Sequence, residues 1–119
     1  TAVGEGFVEI VEDSQESTPE TEEVVRRVIE PLLEAGADQI VLGCTHYPFL
    51  RKVIERVIGD REVAIIDPAP AVARRVEQLL DQFELRANTN NKAQYAFQTF
   101  ASEDYLKRLQ DKALEIISR

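Results

Sequence analysis

The stretch that most constrains this chain runs from Gln39 to Leu50, where an apolar run (Ile40, Val41, Leu42) meets Gly43 and then Pro48. Strand-type residues closed by a glycine predict a buried strand, and Pro48 is placed as the first residue of the helix that follows. That helix extends from Pro48 to Ile58, turns Leu50, Val53, Ile54, Val57 and Ile58 inward, and stops at Gly59. Val63 to Ile66 then predicts a second buried strand, which delivers Asp67 at its carboxyl end. Helix, strand, helix, strand with short connections indicates βαβ units and a parallel sheet, so the fold class is α/β. In such sheets ligands bind at the carboxyl ends of the strands, where the free N–H groups of the next helix favour anions. The single cysteine, Cys44, and the single histidine, His46, both fall in that connection. Helix N–H groups and a nearby imidazole each favour a thiolate. The segment therefore predicts an activated thiol beside a carboxylate or phosphate site.

The flanking sequence supplies the layers around it. Thr18-Pro19-Glu20 reads as an N-cap, a proline at the first helical position and an acid in the first turn. The helix that begins there has Val24, Val25, Val28, Ile29, Leu32 and Leu33 as its apolar stripe and stops at Gly36. Pro31 lies inside it and predicts a kink near Arg27 to Glu30, or a short restart, because proline lacks a donor and crowds the preceding turn. Upstream, Phe7 to Glu12 alternates imperfectly and fits a short strand or a turn of helix. Ser14 to Thr18 reads as a solvated loop, since residues 9 to 23 hold seven carboxylates and no base. Downstream, a helix from Pro70 through Leu80 has Val72, Val76, Leu79 and Leu80 as its core face. Glu84 to Lys92 is an asparagine-rich loop, Tyr95 to Phe100 alternates as a strand, and Ser102 caps a last helix along Leu106, Leu109, Ala113, Ile116 and Ile117.

Composition narrows the function. A chain of 119 residues with 44% hydrophobic content can build a core of its own. No apolar run approaches the roughly 20 residues of a spanning helix. Fourteen basic residues against twenty-two acidic ones give a net charge of -8, which disfavours a nucleic-acid footprint. One unpaired cysteine fits a reducing cytoplasm. The chain opens on Thr1 rather than Met and with no charged-then-apolar leader, so neither a native start nor a signal peptide is expected. No glycine-rich phosphate loop or metal-ligand cluster is present in the sequence.

The seven residues Leu42-Gly43-Cys44-Thr45-His46-Tyr47-Pro48 closely resemble the second catalytic segment of glutamate racemases, in the aspartate/glutamate racemase superfamily. Phe7 to Asp13 looks like that family's Val-Glu-acidic segment, and Ile65-Ile66-Asp67-Pro68-Ala69 like the strand end that follows. The resemblance implies a cofactor-independent enzyme that interconverts L- and D-glutamate for peptidoglycan precursors, using two cysteines on opposite faces of the substrate. Cys44 is then one of the two thiols, His46 assists it by hydrogen bonding or proton management, Thr45 contacts the substrate, and Glu12 orients the amino group or tunes a neighbouring base. Asp67 is assigned to capping the next helix, and Tyr47 and Pro48 to shaping the turn.

The family's other cysteine, in a Cys-Asn-Thr segment, and its early Asp-Ser pair have no counterpart here. The chain is accordingly expected to be a C-terminal portion, inactive alone. Residues 1–66 would be part of the second α/β domain and residues 67–119 a segment completing the first. Exposed strand edges favour self-association, so a homo-oligomer is among the expected partners, together with glutamate and with neither nucleic acid nor membrane. Three other readings stay open: a relative acting on aspartate, hydantoins or maleate; a non-catalytic binding domain; and a hydrolase with a Cys44 and His46 dyad. Neighbours in one loop rarely give a nucleophile and a base separate directions of approach, which weighs against the last.

Overall fold

The computed structural model describes residues 1–87 and 92–117. In chain order the elements are helix α1 (Phe7–Glu12), helix α2 (Pro19–Glu34), strand β1 (Gln39–Val41), a 3-10 turn (Tyr47–Leu50), helix α3 (Arg51–Ile58), strand β2 (Ala64–Ile66), helix α4 (Ala69–Gln82) and helix α5 (Glu103–Ile117). They fall into two compact units, Thr1–Pro68 and Ala69–Arg119.

In the first unit, α2 begins where Thr18 Oγ1 accepts the N–H of Thr21 at 3.3 Å, satisfying one of the free donors of a helix start. The Thr21 hydroxyl is buried and donates to the Gln15 carbonyl at 2.6 Å. The acidic segment before α2 is a largely exposed loop, as expected, tied to the helix through the Gln15 carbonyl. At the other end Gly36 adopts φ 83°. Its N–H reaches the Leu33 carbonyl and that of Ala37 the Leu32 carbonyl, the paired closure that a left-handed residue permits. Between these caps α2 is a single helix through Pro31, which leaves out the restart, one of the two outcomes expected of that proline. Pro31 lies on the exposed face, and the helix is tied to its neighbours by Glu22 to Arg56 at 3.1 Å and Glu30 to Arg61 at 2.5 Å.

Val25 and Ile29 of α2 pack with Val53, Ile54, Val57 and Ile58 of α3 and with Phe7, Ile10 and Val11 of α1. Ile40, Leu42 and Leu50 complete the core. The Phe7 to Glu12 segment is helical, because burying Phe7, Ile10 and Val11 together needs the spacing of a helix turn rather than strand alternation.

Strands β1 and β2 pair in parallel, with Gln39 opposite Ala64, Ile40 opposite Ile65 and Val41 opposite Ile66. Leu42 N–H continues the ladder to the Ile66 carbonyl at 2.9 Å. The expectation of two fully buried strands is corrected. Ile40 faces the core, but Val41 is 61% and Ile66 39% exposed, because the helices of this unit cover one face of the sheet. The helix expected from Pro48 is also divided: Tyr47–Leu50 forms a 3-10 turn, and α3 starts only at Arg51.

In the second unit, α4 buries none of its residues. The expected core face of Val72, Val76, Leu79 and Leu80 is open, with Val72 59% exposed. Arg86 bonds to both Asp81 and Glu77, and this pairing holds the Asp81 carboxyl below the usual carboxylate range. The strand expected over Tyr95 to Phe100 does not form; among the described residues the segment has no ladder partner, and a strand is defined by one. Of the expected 84–92 loop, residues 84–87 are exposed and 88–91 lie outside the described residues. Ser102 Oγ accepts the Tyr105 N–H at 3.3 Å, so the cap on α5 is as expected. Among the described residues no helix is long and apolar enough to cross a membrane.

Candidate functional site

The parallel register sends both strands out of the sheet at the same end. Gly43 and Cys44 follow β1 there, and Asp67 follows β2. From Cys44 the backbone turns at once: the Tyr47 N–H bonds the Cys44 carbonyl at 3.2 Å and the Phe49 N–H bonds the His46 carbonyl at 3.1 Å. This tight turn, with Pro48 in its first residues, brings Cys44, Thr45 and His46 together. Cys44 is a free thiol, partly buried, with its Sγ 3.7 Å from Nδ1 of His46. Thr45 Oγ1 lies 3.5 Å from the same nitrogen.

Glu12 comes from a separate element, helix α1. It is the last residue of α1, and its Oε1 stands 3.5 Å from His46 Nε2, with the two side chains 39% and 30% exposed respectively. The structure therefore gathers all four residues singled out in the sequence, in the order carboxylate, imidazole, thiol, with the threonine hydroxyl beside the imidazole. An imidazole held by a carboxylate through one nitrogen presents the other to its next neighbour, here the thiol. The arrangement can move a proton between Cys44 and solvent-facing atoms. The helix dipole enlisted in the sequence reading is displaced from the thiol, since the 3-10 turn separates Cys44 from the start of α3.

Two residues outside those four shape the site. Tyr47 accepts the Gly4 N–H on its hydroxyl at 3.3 Å and meets the Phe7 ring edge-on, with centroids 5.2 Å apart. Gly4 itself admits no side chain, because a Cβ there would stand 2.6 Å from Phe7 Cδ2 and 2.8 Å from the Tyr47 hydroxyl. Nothing in residue spacing could signal a contact across so much chain. An adjoining cleft of about 380 Å³ is lined by Gly4, Phe7, Ile29, Ile40, Leu42 and Tyr47 among others, and neither Cys44, His46 nor Glu12 lines it. Among the described residues no group of three or more His, Cys, Asp or Glu is arranged to hold a metal ion.

A parallel α/β unit with a thiol, an imidazole and a carboxylate at the carboxyl end of its sheet defines the class of this protein. Residues 3–76 match the family described as Asp/Glu/Hydantoin racemase, and the chain belongs to that family. A glutamate racemase of Desulforudis audaxviator is 55% identical over 68 residues, covering 57% of this chain and 24% of that protein. One from Deinococcus radiodurans is 40% identical over 108 residues, covering 91% of this chain and 37% of that one. Among solved structures, a glutamate racemase isoform from Bacillus anthracis superposes with a TM-score of 0.80 over 96% of this chain and 42% of its own, at 26% identity. The Thermus thermophilus glutamate racemase in complex with beta-chloro-D-alanine gives a TM-score of 0.72 at 30% identity, covering 87% of this chain and 40% of that one. The chain thus spans well under half the length of the relatives it matches.

Proposed function

We propose that this chain is the C-terminal portion of a cytoplasmic, cofactor-independent glutamate racemase that supplies D-glutamate for peptidoglycan precursors, and that it is inactive by itself. The observation that carries this reading is the Cys44, His46 and Glu12 series at the carboxyl end of β1, in a chain whose relatives are glutamate racemases.

In this reading the Cys44 thiolate takes the α-proton from one face of glutamate, leaving the C–H electron pair on the α-carbon. A second thiol, contributed by the part of the protein outside this chain, gives its proton to the opposite face. Cys44 ends as thiol and its counterpart as thiolate, and the reverse reaction exchanges the roles. His46 accepts the Cys44 proton at Nδ1 when the thiolate is formed, and Glu12 stabilises the resulting imidazolium through Nε2. Thr45 contacts the substrate. Residues 1–66 belong to one α/β domain of the whole protein, and residues 67–119 return to complete the other, which accounts for the open apolar face of α4.

The test is α-proton exchange of L- and D-glutamate in deuterated water. A longer protein carrying the missing N-terminal part should exchange and interconvert both enantiomers, its Cys44→Ala variant should interconvert neither, and the 119-residue chain should do neither. A folded longer protein that exchanges no glutamate, or one whose interconversion of the enantiomers survives loss of Cys44, overturns the proposal.

A further inference from the structure

The short helix α1 is held at both ends by two consecutive residues of the motif loop. At its C-terminal end, Glu12 faces His46. At its N-terminal end, the Phe7 ring packs edge-on against Tyr47, and Gly4 is bonded in two directions: its N–H donates to the Tyr47 hydroxyl, and its carbonyl accepts the Phe7 N–H at 3.1 Å. Helix α1 has six residues and so is only about 9 Å long. Phe7 and Glu12 are thus joined by less than two turns of continuous helix. The space around Gly4 is closed to any side chain, so the approach of Tyr47 to this segment is tight.

We propose that Tyr47 is a positioning residue: its hydroxyl and ring fix the start of α1, and α1 in turn holds the Glu12 carboxylate against His46. Among the described residues, the charged or titratable groups that meet His46 are Glu12 from α1 and Cys44 from its own loop, with the Thr45 hydroxyl beside them. With Nε2 engaged by the carboxylate, Nδ1 is left to accept the Cys44 proton, and Tyr47 sets how well that engagement is kept. The inference rests on the racemase reading only for its consequence in turnover. The contact it describes is measurable without turnover.

The experiment is the rate of alkylation of Cys44 by iodoacetamide in the 119-residue chain at neutral pH, followed by mass. With a single cysteine there is one adduct, and the rate follows the thiolate fraction more steeply than the fall in intrinsic nucleophilicity. Glu12→Gln should slow the reaction about 3- to 10-fold and Tyr47→Phe, which keeps the ring and loses the hydroxyl, about 2- to 5-fold. The double variant should be no slower than the slower single one, because both changes act on one contact. Gly4→Ala breaks the same latch from its other end and should reproduce Tyr47→Phe. Ile58→Ala, at the end of α3 remote from the motif loop, should lower the unfolding midpoint and leave the alkylation rate at the wild-type value, separating positioning from general stability. A folded Tyr47→Phe or Gly4→Ala chain alkylated at the wild-type rate overturns the proposal, as does a double variant slowed by the product of the two single effects. Failure of glutamate exchange in the longer protein, with this alkylation pattern intact, removes the racemase reading and leaves the Tyr47 assignment standing.

Discussion

Glu12 and His46, on different elements and far apart in the chain, meet with the carboxylate 3.5 Å from Nε2 while Nδ1 faces the Cys44 sulfur at 3.7 Å. One imidazole therefore bridges an acid and a thiol. Glu12→Gln keeps the side chain's size and removes the charge that stabilises a protonated ring. Glutamate exchange by the longer protein should fall about 10- to 100-fold, less than the roughly 10²- to 10⁴-fold of a direct acid or base. The thermal midpoint should move little, by about 1 kcal/mol or less in unfolding free energy, since the pair is partly exposed to solvent. Steady-state kinetics beside a melting curve would show both; unchanged turnover would leave Glu12 without a part in proton transfer.

The ion pairs between α2 and α3 carry a pH dependence. Hydrogen bonds from Arg56 and then Arg26 hold the Glu22 carboxyl below its ordinary value of 4.5. A carboxyl depressed in the folded state adds stability above its unfolded pKa and loses it as the pH falls through the lowered folded one. Glu22→Gln should therefore be slightly less stable than the parent near neutrality, and the two should converge as the pH drops below 4.5. Urea unfolding at a series of pH values measures this. A difference that persists unchanged into acid would show that the loss comes from packing rather than charge.

Pro31 sits in the last turns of α2 with its ring exposed. Alanine there restores an N–H toward the Arg27 carbonyl and relieves crowding with the preceding turn. Pro31→Ala should raise unfolding free energy by about 1–3 kcal/mol, up to the full proline penalty in a helix interior. Urea midpoints compare the two chains directly. A destabilised variant would mean that the proline fixes the chain's exit from α2.

Val41 distinguishes the short chain from the longer protein. It is 61% exposed here, so Val41→Thr should change stability by no more than about 0.5 kcal/mol. In the longer protein, if further strands or helices cover that sheet face, the same hydroxyl is buried and should cost about 1–3 kcal/mol. Equal small effects in both would mean that the face stays open to solvent.

Helices α2 and α3 were legible because their signals are local. Thr18 and Pro19 start α2, Gly36 closes it, and the spacing of Val53, Ile54, Val57 and Ile58 marks the inner face of α3. Each is set within a few residues by backbone hydrogen bonding and helical periodicity. The strands were legible in position but not in burial. Ile40 and Val41 are equally apolar, and which of them faces the core depends on where α2 and α3 pack. The stretch from Tyr95 to Phe100 shows the same limit more sharply, since alternation describes a strand only when another strand lies alongside it.

The site divides in the same way. The sequence by itself determined the strand-to-turn connection and the placement of Cys44, Thr45 and His46 in it, because adjacent residues in a tight turn cannot separate. Through family resemblance it also nominated Glu12. Only the tertiary structure decided that Glu12 reaches Nε2 rather than solvent, that Nδ1 is thereby turned to the thiol, and that Tyr47 and Gly4 fasten the helix that carries Glu12. Those contacts depend on how α1 docks on the loop, and docking follows from buried surface gathered from distant parts of the chain.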